Sequence, residues 1–258
     1  MTVRERLVNI GQQRPLCGVI SEPGQPGVGD RGPAVLLLNS GIMHRVGACR
    51  MSVKIARAVT GQLGLSCLRF DFSGIGDSEP RRPEGLDSEQ MAVQQVREAM
   101  DFLQQTRGIR TFILYGLCSG AFTSCQVALV DERVKAIAQV DGYCYPTWQS
   151  HLRYYLPRIV SPRRWLAKLH SILSGGAGNR AVVVGAGMRR DSNYELPAPS
   201  STPDKALVAT WMSVFADKGL YLHCVFTGQE HYLYQGQFQD CFSDVDFKGR
   251  LSLQYLPE

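Results

Sequence analysis

The stretch Gly116-Leu117-Cys118-Ser119-Gly120 constrains this chain more than any other part of it. An apolar run over 111–117 precedes it and reads as a buried strand, and Ser119–Val130 follows with helical spacing. A strand that passes straight into a helix through one turn lifts the residue between them out of the sheet. Glycines two positions to either side relieve the crowding where strand and helix meet. The residue so presented is a cysteine, and the helix start behind it offers backbone N–H groups and a positive dipole end. That field stabilises an oxyanion and favours a thiolate, so Cys118 is the candidate nucleophile. Ser119 carries a competing hydroxyl, but its backbone N–H stands where an oxyanion donor belongs.

Strand-like and helix-like segments alternate around this turn. Residues 34–38, 65–72, 134–140, 220–227 and 250–256 read as strands. Residues 50–63, about 204–217 and a short piece near 234–242 read as helices. Another helix, capped by Asp87 or Ser88, presents Val93, Val96, Met100 and Leu103 on one face. The alternation predicts an α/β fold with a doubly wound, mostly parallel sheet covered on both faces. It breaks over 142–202, about sixty residues that are too many for a plain connection. Those residues are expected to form an inserted helical cap, with 1–141 and 203–258 as the core.

With 44% hydrophobic and 20% charged residues among 258, the chain has the composition of an ordinary globular protein. No apolar run reaches the roughly 18 residues that span a bilayer, and the N-terminus has no apolar signal region. A cytoplasmic protein without a transmembrane segment is expected. A net charge of +5 is too small to imply nucleic-acid binding. None of the eight cysteines forms a C-x-x-C pair, and about seven of them read as core fillers; no disulfide framework and no metal site are expected. Residues 27–32 match G-x-G-x-x-G, but before a strand rather than after one, so they read as a hairpin loop and no cofactor is expected.

Two further turns carry polar chemistry. The loop 39–44 follows the first long strand and is the candidate source of a second oxyanion donor, the N–H of Ile42 or Met43. There Gly41 permits close backbone approach, and Gly41, Met43 and His44 are placed to touch substrate; His44 has the plainer alternative of bonding local backbone. The turn 69–78 packs Asp71 and Asp77 between glycines, a structural arrangement in which carboxylates accept backbone N–H bonds.

Taken together, NSGIMHRVG at 39–47, RFDFSGIGDS at 69–78 and GLCSGA at 116–121 resemble the α/β-hydrolase superfamily. Within it the chain looks like the exosortase-system-associated hydrolases, which also carry cysteine at the turn, and the cap text HLRYYLPRIVSPRRW at 151–165 is similar to theirs. The resemblance implies a Cys-His-acid triad acting on an ester or thioester. It places the acid after the penultimate strand, at Glu230, with Asp141 as the alternative site used by some relatives. It places the histidine after the last strand, where this sequence has only Pro257 and Glu258. His231 beside Glu230, or His44, stands in as candidate base; otherwise the natural chain continues past Glu258 with the histidine, or the base has been lost.

The cap combines Tyr143, Tyr145, Trp148, Tyr154, Tyr155 and Trp165 with eight cations, and no acidic residue lies between Asp141 and Asp191. Tyr143, Trp148 and Tyr155 are the candidate substrate contacts. Aromatic and cationic groups suit an acyl chain on an anionic carrier such as coenzyme A or a phosphopantetheine-bearing protein, and equally a membrane surface; a solvated basic helix pair is the plainer alternative. The expectation is thus a thioesterase or acyltransferase, with a homodimer compatible. A catalytically silent fold serving as a binding or scaffold protein is the second expectation.

Overall fold

The computed structural model describes residues 2–24, 32–81, 85–159, 203–228 and 232–256, and for 154–159 the backbone alone. Eight strands form one sheet in the order β1-β2-β4-β3-β5-β6-β7-β8. They are β1 (Val3–Ile10), β2 (Leu16–Pro23), β3 (Ala34–Leu37), β4 (Cys67–Phe70), β5 (Phe112–Leu117), β6 (Val134–Val140), β7 (Tyr221–Phe226) and β8 (Leu251–Tyr255). From β4 to β8 all pairs are parallel, while β1–β2 and β2–β4 are antiparallel. The doubly wound, mostly parallel sheet is therefore as expected, with a hairpin added at one edge.

Period-two burial shows why both faces are covered. In β3, Ala34 and Leu36 enter the larger core while Val35 and Leu37 enter a smaller one with Ala56 and Cys67. In β5, Phe112 and Leu114 face the larger core, and Ile113 and Tyr115 the smaller. Two helices are set by clear local signals. Helix α2 (Ser88–Arg107) starts in a reciprocal capping box between Asp87 and Gln90 and ends at Gly108 with φ 71°. Helix α3 (Ser119–Val130) is buried almost all round, from Gly120 to Cys125 and again at Val127 and Ala128, as befits a central helix.

The single helix expected over 50–63 is divided. Helix α1 (Met51–Ala58) passes into a π-turn, Val59–Leu63, that ends at Gly64 with φ 69°. Helix α4 (Trp148–Ile159) lies at the start of the segment expected as a cap, helix α5 (Lys205–Asp217) packs in the core, and the last helix, α6 (Gln237–Cys241), is shorter than the 234–242 expected. The rest of the expected cap, 160–202, lies outside the described residues, as do 27–31 of the expected hairpin loop.

The strand order contains one reversal that positions a site. The connection leaving β3 carries the chain to β4, and the connection leaving β5 carries it the other way, to β6. Loops at the carboxyl ends of β3 and β5 therefore part from each other and leave a crevice, where open parallel sheets bind their ligands.

Candidate active site at the strand reversal

Cys118 stands at this crevice, between β5 and α3, with φ 53° and ψ −113°. No residue with a side chain adopts that conformation without cost, of order 1–3 kcal/mol. The surroundings enforce it. Cys118 N–H donates to Val140 O at 3.2 Å, tying the turn to β6, and Cys118 O accepts from Ala121 N at 3.0 Å. A Cβ on Gly116 would lie 2.1 Å from Gly120 C, and a Cβ on Gly120 would lie 2.8 Å from Asn39 O. Both glycines are thus required by close backbone approach, strand to helix and helix to the loop after β3.

The outcome is an exposed thiol at a helix N-terminus. Its siblings differ. Burial pushes the Cys67 and Cys125 thiols up to about 12 and raises that of Cys224, so all three stay protonated. Four cysteines are buried, two are half-buried and two, Cys49 and Cys118, are exposed. The count of core fillers is therefore below the seven expected: Cys49 is exposed on a turn, while Cys17 on β2 and Cys144 after β6 are only half-buried. Cys49 lies in a 3-10 turn before α1, with no strand leading into it.

The loop after β3 is built to lie beside the thiol. Asn39 is buried; its Oδ1 accepts from Phe72 N at 2.9 Å and its Nδ2 donates to Met43 O at 2.8 Å. Met43 N–H closes a turn on Ser40 O at 3.0 Å, which leaves Ile42 rather than Met43 as the free donor of the expected pair. Gly41 has φ 53° and no protein atom within 4 Å of a Cβ position, so the backbone angle and not crowding by the protein calls for glycine there. Its N–H donates to Ser119 Oγ at 2.7 Å. The Ser119 hydroxyl is thereby a tether between loop and elbow, which its sequence position does not reveal. Among the described residues the N–H groups of Ile42 and Ser119 have no hydrogen-bond acceptor.

Behind the loop, Asp71 is fully buried and accepts from Arg45 N and the Arg45 guanidinium, and at 3.3 Å from Asp77 N. Asp77 does not accept backbone as expected; it pairs with the Arg45 guanidinium instead. A small cavity lined by Ser40, Met43, His44, Met51, Tyr115 and Leu117 opens beside the loop. His44 is exposed, and its carbonyl accepts from Gly47 N at 2.9 Å.

Of the two candidate acids, the structure describes Asp141. It follows β6 with φ 48°, and its carboxylate accepts from Thr227 N at 2.9 Å and from Thr227 Oγ1 at 2.8 Å. Glu230 and His231 lie outside the described residues. Of the cap contacts, Tyr143 packs edge-on against Phe122 and Trp211 with its hydroxyl buried, Trp148 is 72% exposed, and the Tyr155 side chain lies outside those described. Among the described residues no cluster of three metal-binding side chains occurs, and no helix is long and apolar enough to cross a membrane.

Comparison with known proteins agrees with this geometry. A family model described as the alpha/beta hydrolase fold matches residues 33–161, which is half of the 258. Curated proteins gave no sequence match. Among solved structures, an esterase from Pyrococcus furiosus aligns over 99% of this chain and 82% of its own at 12% identity and a TM-score of 0.58. A putative dienelactone hydrolase from Klebsiella pneumoniae aligns over 100% and 87% at 10% identity, TM-score 0.56. An alpha/beta hydrolase from Penicillium sp. sh18 aligns over 100% and 90% at 17% identity, TM-score 0.54. Similarity at these identities speaks for the fold alone. With its strand order and the match over half its length, the chain belongs to the α/β hydrolase fold family.

Proposed function

We propose that the protein is a hydrolase or acyltransferase that takes an acyl group from an ester, preferentially a thioester, onto Cys118. The observation that carries this is the exposed Cys118 held at φ 53°, ψ −113° on the N-terminus of α3. A fold retains so strained a residue where the side chain must project into the crevice.

The Cys118 sulfur attacks the carbonyl carbon and forms a C–S bond, and the carbonyl π electrons move to oxygen. The N–H groups of Ser119 and Ile42 receive that oxyanion. Collapse breaks the bond to the leaving thiol or alcohol, which departs with a proton. Water then regenerates the thiol by hydrolysis, or a second thiol or alcohol does so by transfer. Thiol-to-thioester exchange is nearly balanced in free energy, which suits cysteine to thioesters. His231 or His44 is the candidate base, oriented by Glu230 or, in its alternative, Asp141. A cysteine acylates slowly even unaided, so base loss slows deacylation most.

The names of the Pyrococcus and Klebsiella proteins, an esterase and a putative dienelactone hydrolase, are in keeping with ester chemistry. The cations of 142–202 suit an anionic carrier such as coenzyme A; that assignment comes from the sequence.

Intact-mass measurement after incubation with an acyl coenzyme A is the direct test. An adduct of acyl mass, lost in Cys118→Ala, is expected. A folded protein that gains no adduct from thioesters or activated esters would overturn the proposal in favour of a silent binding protein. Charge reversal at Arg163 and Arg164 is expected to weaken apparent affinity for the coenzyme A thioester, and unchanged affinity would remove the carrier.

A further inference from the structure

A second pair of sulfurs lies apart from Cys118. Cys144, on the segment that leaves β6 for the cap, and Cys241, at the end of α6, are 97 residues apart in sequence, with sulfurs 3.7 Å apart. Among the cysteines, all of which are described, no other thiol–thiol contact occurs. Cys125 and Cys224, by contrast, each contact the amide of Gln139, on Oε1 and Nε2 respectively.

We infer that Cys144 and Cys241 form a reversible redox site, closing to a disulfide with a peroxide or a small disulfide as oxidant. The contact is van der Waals, and a disulfide bond is about 2.0 Å long, so closure needs an approach of about 1.7 Å. Side-chain rotation supplies movement of that size. Access is one-sided: Cys144 is half-buried whereas Cys241 is 3% exposed, so a small oxidant reaches the pair from the Cys144 side.

The polar surroundings permit the change. Both thiols approach one acceptor, Tyr145 O, Cys241 at 3.0 Å and Cys144 at 3.9 Å. Gln237 Nε2 also donates to that carbonyl, at 3.0 Å. When oxidation removes the two S–H groups, the amide donor remains and the carbonyl keeps a partner. Nothing buried is orphaned, which is the usual cost of losing a donor.

With hydrogen peroxide the steps balance. One sulfur of the pair attacks one oxygen; an S–O bond forms, the O–O bond breaks, and the departing hydroxide takes the thiol proton as water. The other sulfur then attacks the oxidised one; the S–S bond forms, the S–O bond breaks, and hydroxide leaves with the second thiol proton as water. Two thiols and one peroxide become one disulfide and two waters. A dithiol reductant reverses the change.

The site lies outside the catalytic proposal and does not depend on it. The wild-type protein is treated with peroxide, unfolded without reductant, alkylated and digested. Two fewer alkylatable thiols out of eight, a cross-linked peptide pair containing Cys144 and Cys241, and recovery with dithiothreitol are expected. Cys118→Ala should still form the cross-link, and Cys144→Ser should abolish it with its circular dichroism unchanged. Cys144 and Cys241 both recovered as alkylated residues after oxidation, or cross-links joining other cysteines instead, would overturn the inference.

Discussion

Cys118 sits at the point of greatest backbone strain in the elbow, and its conformation suits glycine better than cysteine. Substituting Cys118→Gly is therefore expected to raise stability by about 1 kcal/mol while it abolishes the acyl adduct. Urea unfolding read beside intact mass checks both halves, and a variant less stable than the wild type would contradict the strain argument. Ser119 works differently. Its hydroxyl holds the Gly41 N–H at 2.7 Å and so fixes the loop that carries the Ile42 donor. In Ser119→Ala the loop loses that tether, worth about 1 kcal/mol. A fall in kcat of about tenfold at nearly constant KM for a thioester is expected; a change in KM alone would point to substrate contact instead.

At the scale of elements, the junction of β5 with α3 has no room for change. Gly116→Ala would drive a methyl to 2.1 Å from the α3 backbone, and a loss of about 3 kcal/mol or more is expected in thermal unfolding. This junction was legible in the sequence because β5, α3 and β6 are bounded by abrupt changes of pattern, α3 is buried along most of its length, and β5 alternates buried with half-buried positions. The N-terminal hairpin escaped notice for the opposite reason. Strand β1 carries three consecutive charged residues, Arg4, Glu5 and Arg6, and leaves Leu7 67% exposed, so neither an apolar run nor a clean alternation marks it. The loop after β3 was legible as a loop, but its donors were not: Met43 N–H is lost to a turn, and only three-dimensional contact brings Ser119 to Gly41. Likewise, Asp141 could be named from its place after β6, whereas its partner Thr227 is 86 residues away.

Across the whole molecule, one carboxylate gathers the hairpin edge onto the sheet. Glu5 on β1 accepts from Arg57 on α1, from Arg69 on β4 and from Ser21 on β2. The Arg57 hydrogen bond, helped by Arg69, holds its pKa below the ordinary 4.5 against the opposing effect of burial. A carboxyl group lowered in the folded state stabilises it fully above the unfolded value and loses that contribution as pH falls through the folded one. Glu5→Gln is therefore expected to be less stable at neutral pH, by about 1–3 kcal/mol because Arg69 stays buried without its charge partner. Its stability should also fall less steeply than that of the wild type below about pH 4.5. Denaturant midpoints measured at a series of pH values check both, and parallel curves would exclude the carboxylate as their source.

Tyr145 ties together the two ends of the segment expected to form a cap. Its ring packs on Phe242, and its hydroxyl donates at 2.7 Å to Pro203 O, 58 residues further on, beside the Asp204 that caps α5. The two ends of the segment 146–202 thus meet at one spot, and among the described residues no strand of the sheet comes from between them. We propose that the segment expected as a cap is, on such a neck, a detachable module: selection can lengthen, exchange or remodel it without disturbing strand register, much as a tool is changed in a fixed handle. Replacing 147–201 with a short run of glycine and serine should accordingly leave a protein that unfolds in one cooperative transition, with a new set of substrates open to it.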